Sequence, residues 1–131
     1  MPITEAQQPI LESTALAHIA TIGPNGEPQV SPVWFSWDGT NLLFSQTTTR
    51  QKYRNLQRDP HIAISLVDPT NPYNYLEIRG RVVSIENDVD NAFINSMAKK
   101  YMGQDVYPWA SPTEQRVVVA VTPEHTSGMG G

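Results

Sequence analysis

The 131-residue sequence contains no cysteine, which excludes disulfide bonds, thiolate metal sites and cysteine nucleophiles. It also lacks any apolar run close to the roughly 18–20 residues that a membrane-spanning helix needs. Its start has neither the basic nor the apolar region of a signal peptide, so we expect a soluble cytoplasmic protein without a membrane partner. Hydrophobic content of 39% and charged content of 17% are typical of one globular domain, residues 1–131.

Positive charge is missing from the first 49 residues, and the formal net charge of the chain is −4. Contacts to many nucleic-acid phosphates need a broad basic face, so we expect no nucleic-acid partner. The three histidines, His18, His61 and His125, lie far apart without the spacing of metal ligands, and we expect no metal site. The sequence has no nucleophile motif around a serine and no glycine-rich loop of the Walker or dinucleotide-binding type.

Eleven prolines and eight glycines divide the chain into short elements, a texture typical of β-rich domains. Apolar alternation predicts six strands, at residues 15–23, 28–37, 41–46, 61–68, 75–86 and 116–121. Asn25-Gly26 and Asp38-Gly39 predict tight turns, and therefore a meander in which the first three strands are neighbours. Gly80 predicts a bulge inside the fifth strand.

Helices are predicted at residues 4–13, from Thr48 or Thr49 to Asp59, and from Asn87 or Asp88 to about residue 101. The last of them is expected to bury one stripe of side chains: Val89, Phe93, Met97 and Tyr101. The tail, residues 122–131, is expected to be frayed at its end. These elements predict a mainly β (α+β) fold, a six-stranded antiparallel barrel with short helices at its rim.

Residues 45–60 carry the most unusual charge pattern in the chain. Arg50, Lys52, Arg54 and Arg58 fall within nine positions that contain no acid, just after the hydroxyl side chains of residues 45 and 47–49. A helix N-terminus offers free N–H groups and positive potential, so this stretch indicates a phosphate site. Arg50 and Lys52 reach one phosphate together only if Arg50 lies in the extended lead-in to the helix. A solvated helix face is the alternative.

Two further groups are candidates for a ligand pocket. The strand at residues 28–37 places Gln29 and Ser31 on one face and Trp34 on the other, and its polar face suits the edge of a planar ring. Tyr107 and Trp109, with Tyr101, mark an aromatic loop typical of pocket walls. An ordinary core or interface role for Trp34, and a lid or dimer contact for the loop, remain alternatives.

Four stretches, in this order and spacing, carry a family resemblance: ALAHIATIGPNGEPQVSPVWFSWDGTNLLFS, TTTRQKYRNLQRDPHIAISLVD, YLEIRGRVVSIE and RVVVAVTPE. Across residues 11–123 the chain resembles the split β-barrel flavin and deazaflavin oxidoreductases of the pyridoxamine-phosphate-oxidase-like superfamily. Within that superfamily it is most similar to the class that uses coenzyme F420, a deazaflavin. The resemblance implies an FMN-binding type of split barrel, in homodimers with two cofactor sites at the subunit interface.

The resemblance also implies roles for individual residues. Those expected to hold the cofactor phosphate are Arg50, Lys52 and Asn55. Those expected to line the ring and ribityl chain are Gln29, Val30, Ser31, Pro32, Ser45, Gln46 and Thr47. Those expected to close the site from the other subunit are Ile78, Arg79 and the loop around Tyr107 and Trp109.

The implied function is reduction of an unsaturated or quinone-like small molecule, for example biliverdin, by hydride from the reduced deazaflavin. Tyr107 is the candidate proton donor, and Arg79 is a candidate for stabilising developing negative charge. An FMN-dependent oxidase of the pyridoxamine-phosphate type is the first alternative, ranked lower because no Lys or Arg follows Arg116. A non-catalytic carrier of flavin, deazaflavin or haem is the second.

Overall fold

The computed structural model describes residues 3–129. Its strands are β1 (Ala17–Ile22), β2 (Pro28–Val33), β3 (Ser36–Trp37), β4 (Leu42–Thr47), β5 (His61–Val67), β6 (Tyr75–Asn87) and β7 (Arg116–Met129). Its α-helices are α1 (Gln8–Leu11), α2 (Gln51–Arg58) and α3 (Ala92–Met102), and short 3-10 turns precede α1 and α3. None of the helices in the described range is long and apolar enough to cross a membrane.

The strands form one antiparallel sheet in the order β2-β1-β5-β6-β7-β4-β3. β2 and β3 are consecutive in the chain, yet they lie at opposite edges of the sheet, and only Trp34 and Phe35 join them. Two residues bridge both edges only if the sheet curls round on itself. The predicted mainly β antiparallel barrel is therefore confirmed, with seven strands instead of six because the predicted strand at residues 28–37 breaks at this crossover.

The concave side of the sheet is filled by large apolar side chains without solvent exposure, among them Phe35, Leu42, Phe44, Leu66 and Leu76. Alternate residues of β1, β4 and β5 point inward, as in β4, where positions 42 and 44 are buried and 43 and 45 are not. Burial of each such side chain stabilises the fold by about 1.5–3 kcal/mol before the entropy of ordering is subtracted.

Several predicted details are corrected by the structure. The meander is only partly right, because β4 pairs with β3 and β7 and not with β2. The last strand continues to Met129, well past residue 121, since residues 122–129 pair with the long strand β6. The tail end predicted to fray, residues 130–131, lies outside the described residues. The first helix is a single turn, Gln8–Leu11, after a 3-10 turn, and Pro9 lies in its first turn, where a missing N–H is tolerated.

The bulge predicted at Gly80 is confirmed by a register shift between β6 and β7 at that position. A Cβ there would lie 2.2 Å from the carbonyl oxygen of Thr122, so only glycine lets the two strands approach this closely.

The prediction that Val89 begins the buried stripe of the third helix is wrong, because Val89 is exposed in the 3-10 turn. The buried residues of α3 are Ile94, Met97 and Ala98.

Hydrogen bonds from Lys100 and Tyr101, here called the polar clasp, connect α3 to the crossover between β2 and β3. The Tyr101 hydroxyl donates to the carbonyl oxygen of Ala15 at 2.6 Å and accepts from the backbone N–H of Phe35 at 3.3 Å. Lys100 Nζ donates to the carbonyl oxygen of Phe35 at 2.7 Å and lies 4.3 Å from the centroid of the Phe35 ring. Burial lowers the pKa of Lys100 and raises the pKa of Tyr101, against the opposing effect of the Phe35 N–H.

We expect Tyr101→Phe to lower the free energy of unfolding by about 1–3 kcal/mol, because it leaves the Phe35 N–H and the Ala15 carbonyl oxygen without their partner. Urea unfolding followed by fluorescence measures this. Tyr73→Phe is the matched control, since Tyr73 is exposed and should change stability by less than about 0.5 kcal/mol. Equal effects of the two substitutions would show that the clasp does not stabilise the crossover.

Candidate functional site

A cavity of about 580 Å³ opens between β2, β4, the start of α2 and the loop that leads into β7. It has the size and the mixed polar and aromatic lining typical of small-molecule sites. Most of the residues that the sequence singles out border it: Gln29, Ser31, Pro32, Ser45, Gln46, Thr47, Arg50, Lys52, Tyr107 and Trp109.

The other predicted residues lie elsewhere. Val30 is exposed on the edge strand β2, and Arg79 borders a separate cavity of about 520 Å³. Ile78 is fully buried in the core, so a side-chain contact between Ile78 and a ligand is excluded by its position. Asn55 is also fully buried and lies beneath the first cavity. A contact from Arg79 to the first cavity would require a second copy of the chain, and that role stays a prediction.

The start of α2 forms a cationic corner of the cavity. Arg50, and not a threonine, is the N-cap, with an extended backbone (φ −84°, ψ 149°), whereas Lys52 lies in the first helical turn. The threonines before it form a turn instead, in which the Arg50 N–H donates to the Thr47 carbonyl oxygen. Arg50 therefore lies in the extended lead-in to α2, which is the position from which it can bind one anion together with Lys52. The first backbone N–H groups of α2 have no partner within the helix and add positive potential at the same place.

Lys52 connects this corner to β2, because its Nζ donates to the Ser31 hydroxyl at 2.8 Å. Burial, and secondly the positive charge of Arg50, lower the pKa of Lys52 to about 8. Lys52 is thus partly dehydrated and lies close to the exposed cation Arg50, and both conditions disfavour the charged form of Lys52 in the free protein. The negative charge of a bound phosphate would offset both the burial of Lys52 and its repulsion by Arg50. The cationic corner therefore favours binding of an anion.

Asn55 organises the floor of the cavity and does not face a ligand directly. Its amide nitrogen donates to Thr21 Oγ1 at 3.0 Å and to Gln29 Oε1 at 3.1 Å, and its oxygen accepts from Gln51 Nε2 at 2.8 Å. Both donors of the amide are used inside the protein. The predicted phosphate contact is therefore replaced by an indirect role, in which Asn55 fixes the orientation of Gln29 and Gln51.

The unpaired amide oxygen of Gln46 indicates which chemical group a ligand of the cavity should carry. Gln46 is buried in the cavity wall, and its Oε1 has no hydrogen-bond partner among residues 3–129, although its Nε2 donates to the Thr47 carbonyl oxygen at 3.3 Å. An unsatisfied buried acceptor costs about 1–3 kcal/mol. A ligand N–H would satisfy it, and a flavin or deazaflavin ring carries such a group in its pyrimidine portion. The residues present therefore fit a ring of this class with a phosphate on its side chain.

Aromatic side chains close the opposite part of the cavity. Trp34 stacks on Tyr101, with ring centroids 5.3 Å apart and an interplanar angle of 7°. Tyr107 meets the edges of Trp34 at 6.0 Å and of Trp109 at 5.6 Å, and its backbone N–H donates to Asn95 on α3 at 2.9 Å. Trp34 borders the cavity beside Ser31 because β2 ends at Val33, where strict alternation of faces stops.

Residues that sequence reasoning missed complete the wall: Leu16, Gln51, Ile94 and Arg116. Arg116 is the first residue of β7 and lies opposite Thr47 on β4. Its place follows from a strand pairing between residues about 70 positions apart, and the sequence carries no local signal for that register.

Comparisons with known proteins point the same way. The sequence profile of the family described as pyridoxamine 5'-phosphate oxidase matches residues 3–130. A solved structure described as an F420 reductase is 41% identical, with a TM-score of 0.86, and the alignment covers 95% of this chain and 98% of that chain.

Two more distant structures show a likeness of fold alone. A conserved hypothetical protein from Mycobacterium tuberculosis is 23% identical with a TM-score of 0.75, covering 96% of this chain and 84% of that chain. General stress protein 26 from Bacillus anthracis is 19% identical with a TM-score of 0.70, covering 98% of this chain and 94% of that chain.

The lowered pKa of Lys52 predicts a stability effect of defined sign. Between pH 8 and 10.5 the unfolded chain binds the Lys52 proton and the folded chain does not, so the contribution of Lys52 to stability rises with pH in this window. We therefore expect Lys52→Met to be more stable than the wild type at pH 7, by an amount that shrinks at pH 9.5. Urea unfolding at both pH values measures it.

The control for that measurement is Lys99→Met, because Lys99 is exposed and pairs with Asp105 on the surface. It should show no such change with pH. A Lys52→Met difference that is the same at pH 7 and pH 9.5 would contradict the electrostatic description of the corner.

Proposed function

Because the chain belongs to the pyridoxamine 5'-phosphate oxidase family, we propose that it is an oxidoreductase that uses coenzyme F420 to reduce an unsaturated or quinone-like organic molecule. The observation that carries the proposal is the cationic corner at Arg50 and Lys52 beside the unsatisfied oxygen of Gln46, in one cavity. The 41% identity to an F420 reductase favours a deazaflavin over FMN.

In this proposal the cofactor phosphate lies at Arg50, Lys52 and the start of α2. The ring lies along β2 and β4, where Gln29 and Gln46 present amide groups to its polar edge. A bound reduced deazaflavin supplies a hydride from its C5 carbon. The protein orients the substrate and excludes water. The aromatic side chains do both, because a planar substrate can lie against them.

Hydride addition to a conjugated double bond leaves a negative charge that a proton must neutralise. Tyr107 borders the cavity, and its hydroxyl is the donor that we propose. Arg79 borders the second cavity, so it would act here only from another copy of the chain. Biliverdin is one example of a conjugated molecule that this reaction could reduce.

A binding titration with coenzyme F420 and with FMN tests the cofactor. We expect Arg50→Ala/Lys52→Ala to weaken binding of coenzyme F420 at least about 100-fold, because two charge-assisted contacts to phosphate are lost. Arg54→Ala/Arg58→Ala is the control, since it removes the same charge from exposed positions of the same helix. Tight FMN binding without F420 binding would overturn the cofactor, and an unaffected double variant would overturn the phosphate site.

Oxidation of reduced coenzyme F420 with a panel of conjugated acceptors, biliverdin included, separates an enzyme from a carrier. An enzyme of this type consumes the reduced cofactor faster in the presence of at least one acceptor. Tight binding with no acceptor-dependent oxidation across the panel would favour a carrier of the cofactor.

We further propose that the active form is a homodimer in which Arg79 of one copy completes the cavity of the other. Sedimentation velocity should then give a dimer. Mixing the inactive variants Lys52→Ala and Arg79→Ala should restore about a quarter of the wild-type activity, because half of the randomly formed dimers carry one intact site. Two inactive variants that stay inactive on mixing would contradict a shared site.

A further inference from the structure

Arg116 is a largely covered cation that the proposed cofactor site leaves unexplained. Its side chain is only 12% exposed and borders the main cavity. One guanidinium nitrogen donates to Ser45 Oγ at 3.2 Å, and the guanidinium carbon lies 4.7 Å from the centroid of the Tyr107 ring. Contacts on two sides thus fix the guanidinium between β4 and the aromatic loop.

The guanidinium of Arg116 uses few of its hydrogen-bond donors within the described residues and has one ion pair at long distance. A guanidinium has five N–H donors, and Ser45 is the one hydrogen-bond acceptor that it has within residues 3–129. The nearest carboxylate oxygen, on Glu114, is 3.8 Å away, beyond hydrogen-bond distance, and that side chain is 39% exposed. A covered cation is unfavourable unless an anion pairs with it.

The other charges around the cavity make the imbalance larger. Arg50, Lys52 and Arg116 border it, whereas no aspartate or glutamate does among the described residues. Lys52 points towards β2 through Ser31, while Arg116 contacts β4 and Tyr107. The cavity therefore has two cationic places, and one phosphate at α2 accounts for only the first of them.

The neighbours of Arg116 indicate what the second anion looks like. The guanidinium lies against Tyr107, which in turn meets Trp34 and Trp109, so an apolar, flat surface adjoins the charge. Ser45 engages one guanidinium nitrogen, which leaves further N–H donors for a ligand, and the adjoining aromatic surface favours a flat acceptor group over a tetrahedral one. A flat carboxylate matches a fork of two such donors.

We propose that Arg116 binds a carboxylate of the substrate, so that this protein selects planar conjugated acids over their neutral analogues. The assignment of that acid as a substrate rests on the proposed function, whereas its binding does not. Arg116 acts here as a specificity-determining residue. It orients the acid by its charged end and leaves the conjugated part against the aromatic side chains.

The test compares cinnamate with cinnamamide, which share the conjugated part and differ in the head group, a charged carboxylate against a neutral carboxamide. Calorimetry and tryptophan fluorescence give both dissociation constants, with and without bound coenzyme F420. We expect the wild type to bind cinnamate about 10-fold or more tightly than cinnamamide, because a charge-assisted fork is made only with the acid. Arg116→Met should abolish this ratio, with affinity for coenzyme F420 unchanged, and Arg116→Lys should retain only part of it.

Arg81→Met is the matched control. It removes the same charge from an exposed residue of β6 that pairs with Glu124, and it should keep the wild-type ratio. Arg116→Gln replaces Arg116→Met if the latter does not fold. Where turnover is seen, the same ratio should appear in kcat/KM for the two probes.

Three results would overturn the proposal: equal affinity of the wild type for the two probes, no binding of cinnamate at millimolar concentration, or an Arg116→Met variant that loses coenzyme F420 affinity while keeping the cinnamate ratio. The last would assign Arg116 to the cofactor. Loss of the ratio in Arg116→Met, in a protein that binds no coenzyme F420 at all, would support the carboxylate site and refute the proposed function.

Discussion

The closure of the sheet by Trp34 and Phe35 is the constraint on which the rest of the structure depends. Because β2 and β3 lie at opposite edges, these two residues hold the curl of the whole barrel. Phe35 is clamped by Lys100 and Tyr101, so α3 serves as the support of the crossover. β2 provides one wall of the cavity, β4 provides the other, and α2 stands between them.

The polar chemistry of the cavity works against the stability of the free protein. Lys52 has a lowered pKa beside Arg50, Arg116 has its carboxylate neighbour Glu114 at 3.8 Å, beyond hydrogen-bond distance, and Gln46 has an acceptor without a donor among the described residues. Each is unfavourable in isolation, and each becomes favourable when a ligand with the matching group arrives. Asn55, in contrast, has its donors satisfied within the protein and keeps the floor rigid. Binding energy is thus concentrated at places that the fold alone leaves unmatched.

Much of the fold was predictable because it is encoded in short-range patterns. Alternation located the strands, Asn25-Gly26 marked a tight turn, and Gly80 marked a bulge whose cause, the close carbonyl of Thr122, is now visible. The cluster at Arg50 and Lys52 was predictable as well, since clustered charge in an acidic chain is a local signal. The resemblance to a family added the barrel type, which no local pattern contains.

The remaining errors come from long-range pairing. The break in the strand at residues 28–37 is imposed by closure of the barrel, and its sequence looks continuous. β7 continues through Pro123 and Gly128 only because β6 is long enough to pair with it. Ile78 was expected to help close the site from the other subunit, whereas its side chain lies in the core of its own barrel. Arg116 was missed because its position depends on the register between β7 and β4.

The pairing between β7 and β4 also determines when the cavity forms during folding. β4 is joined to the sheet by β7, with partners such as Ser45 and Val118 separated by more than 70 positions, and otherwise only by the two-residue strand β3. Pairings of such long separation close late, since the entropy of a large loop must be overcome first. The wall that carries Ser45, Gln46 and Thr47 therefore takes its place only after residues 116–121 have been synthesised. Because β4 pairs with these residues to form that wall, ligand binding to the cavity reports that this late pairing is complete.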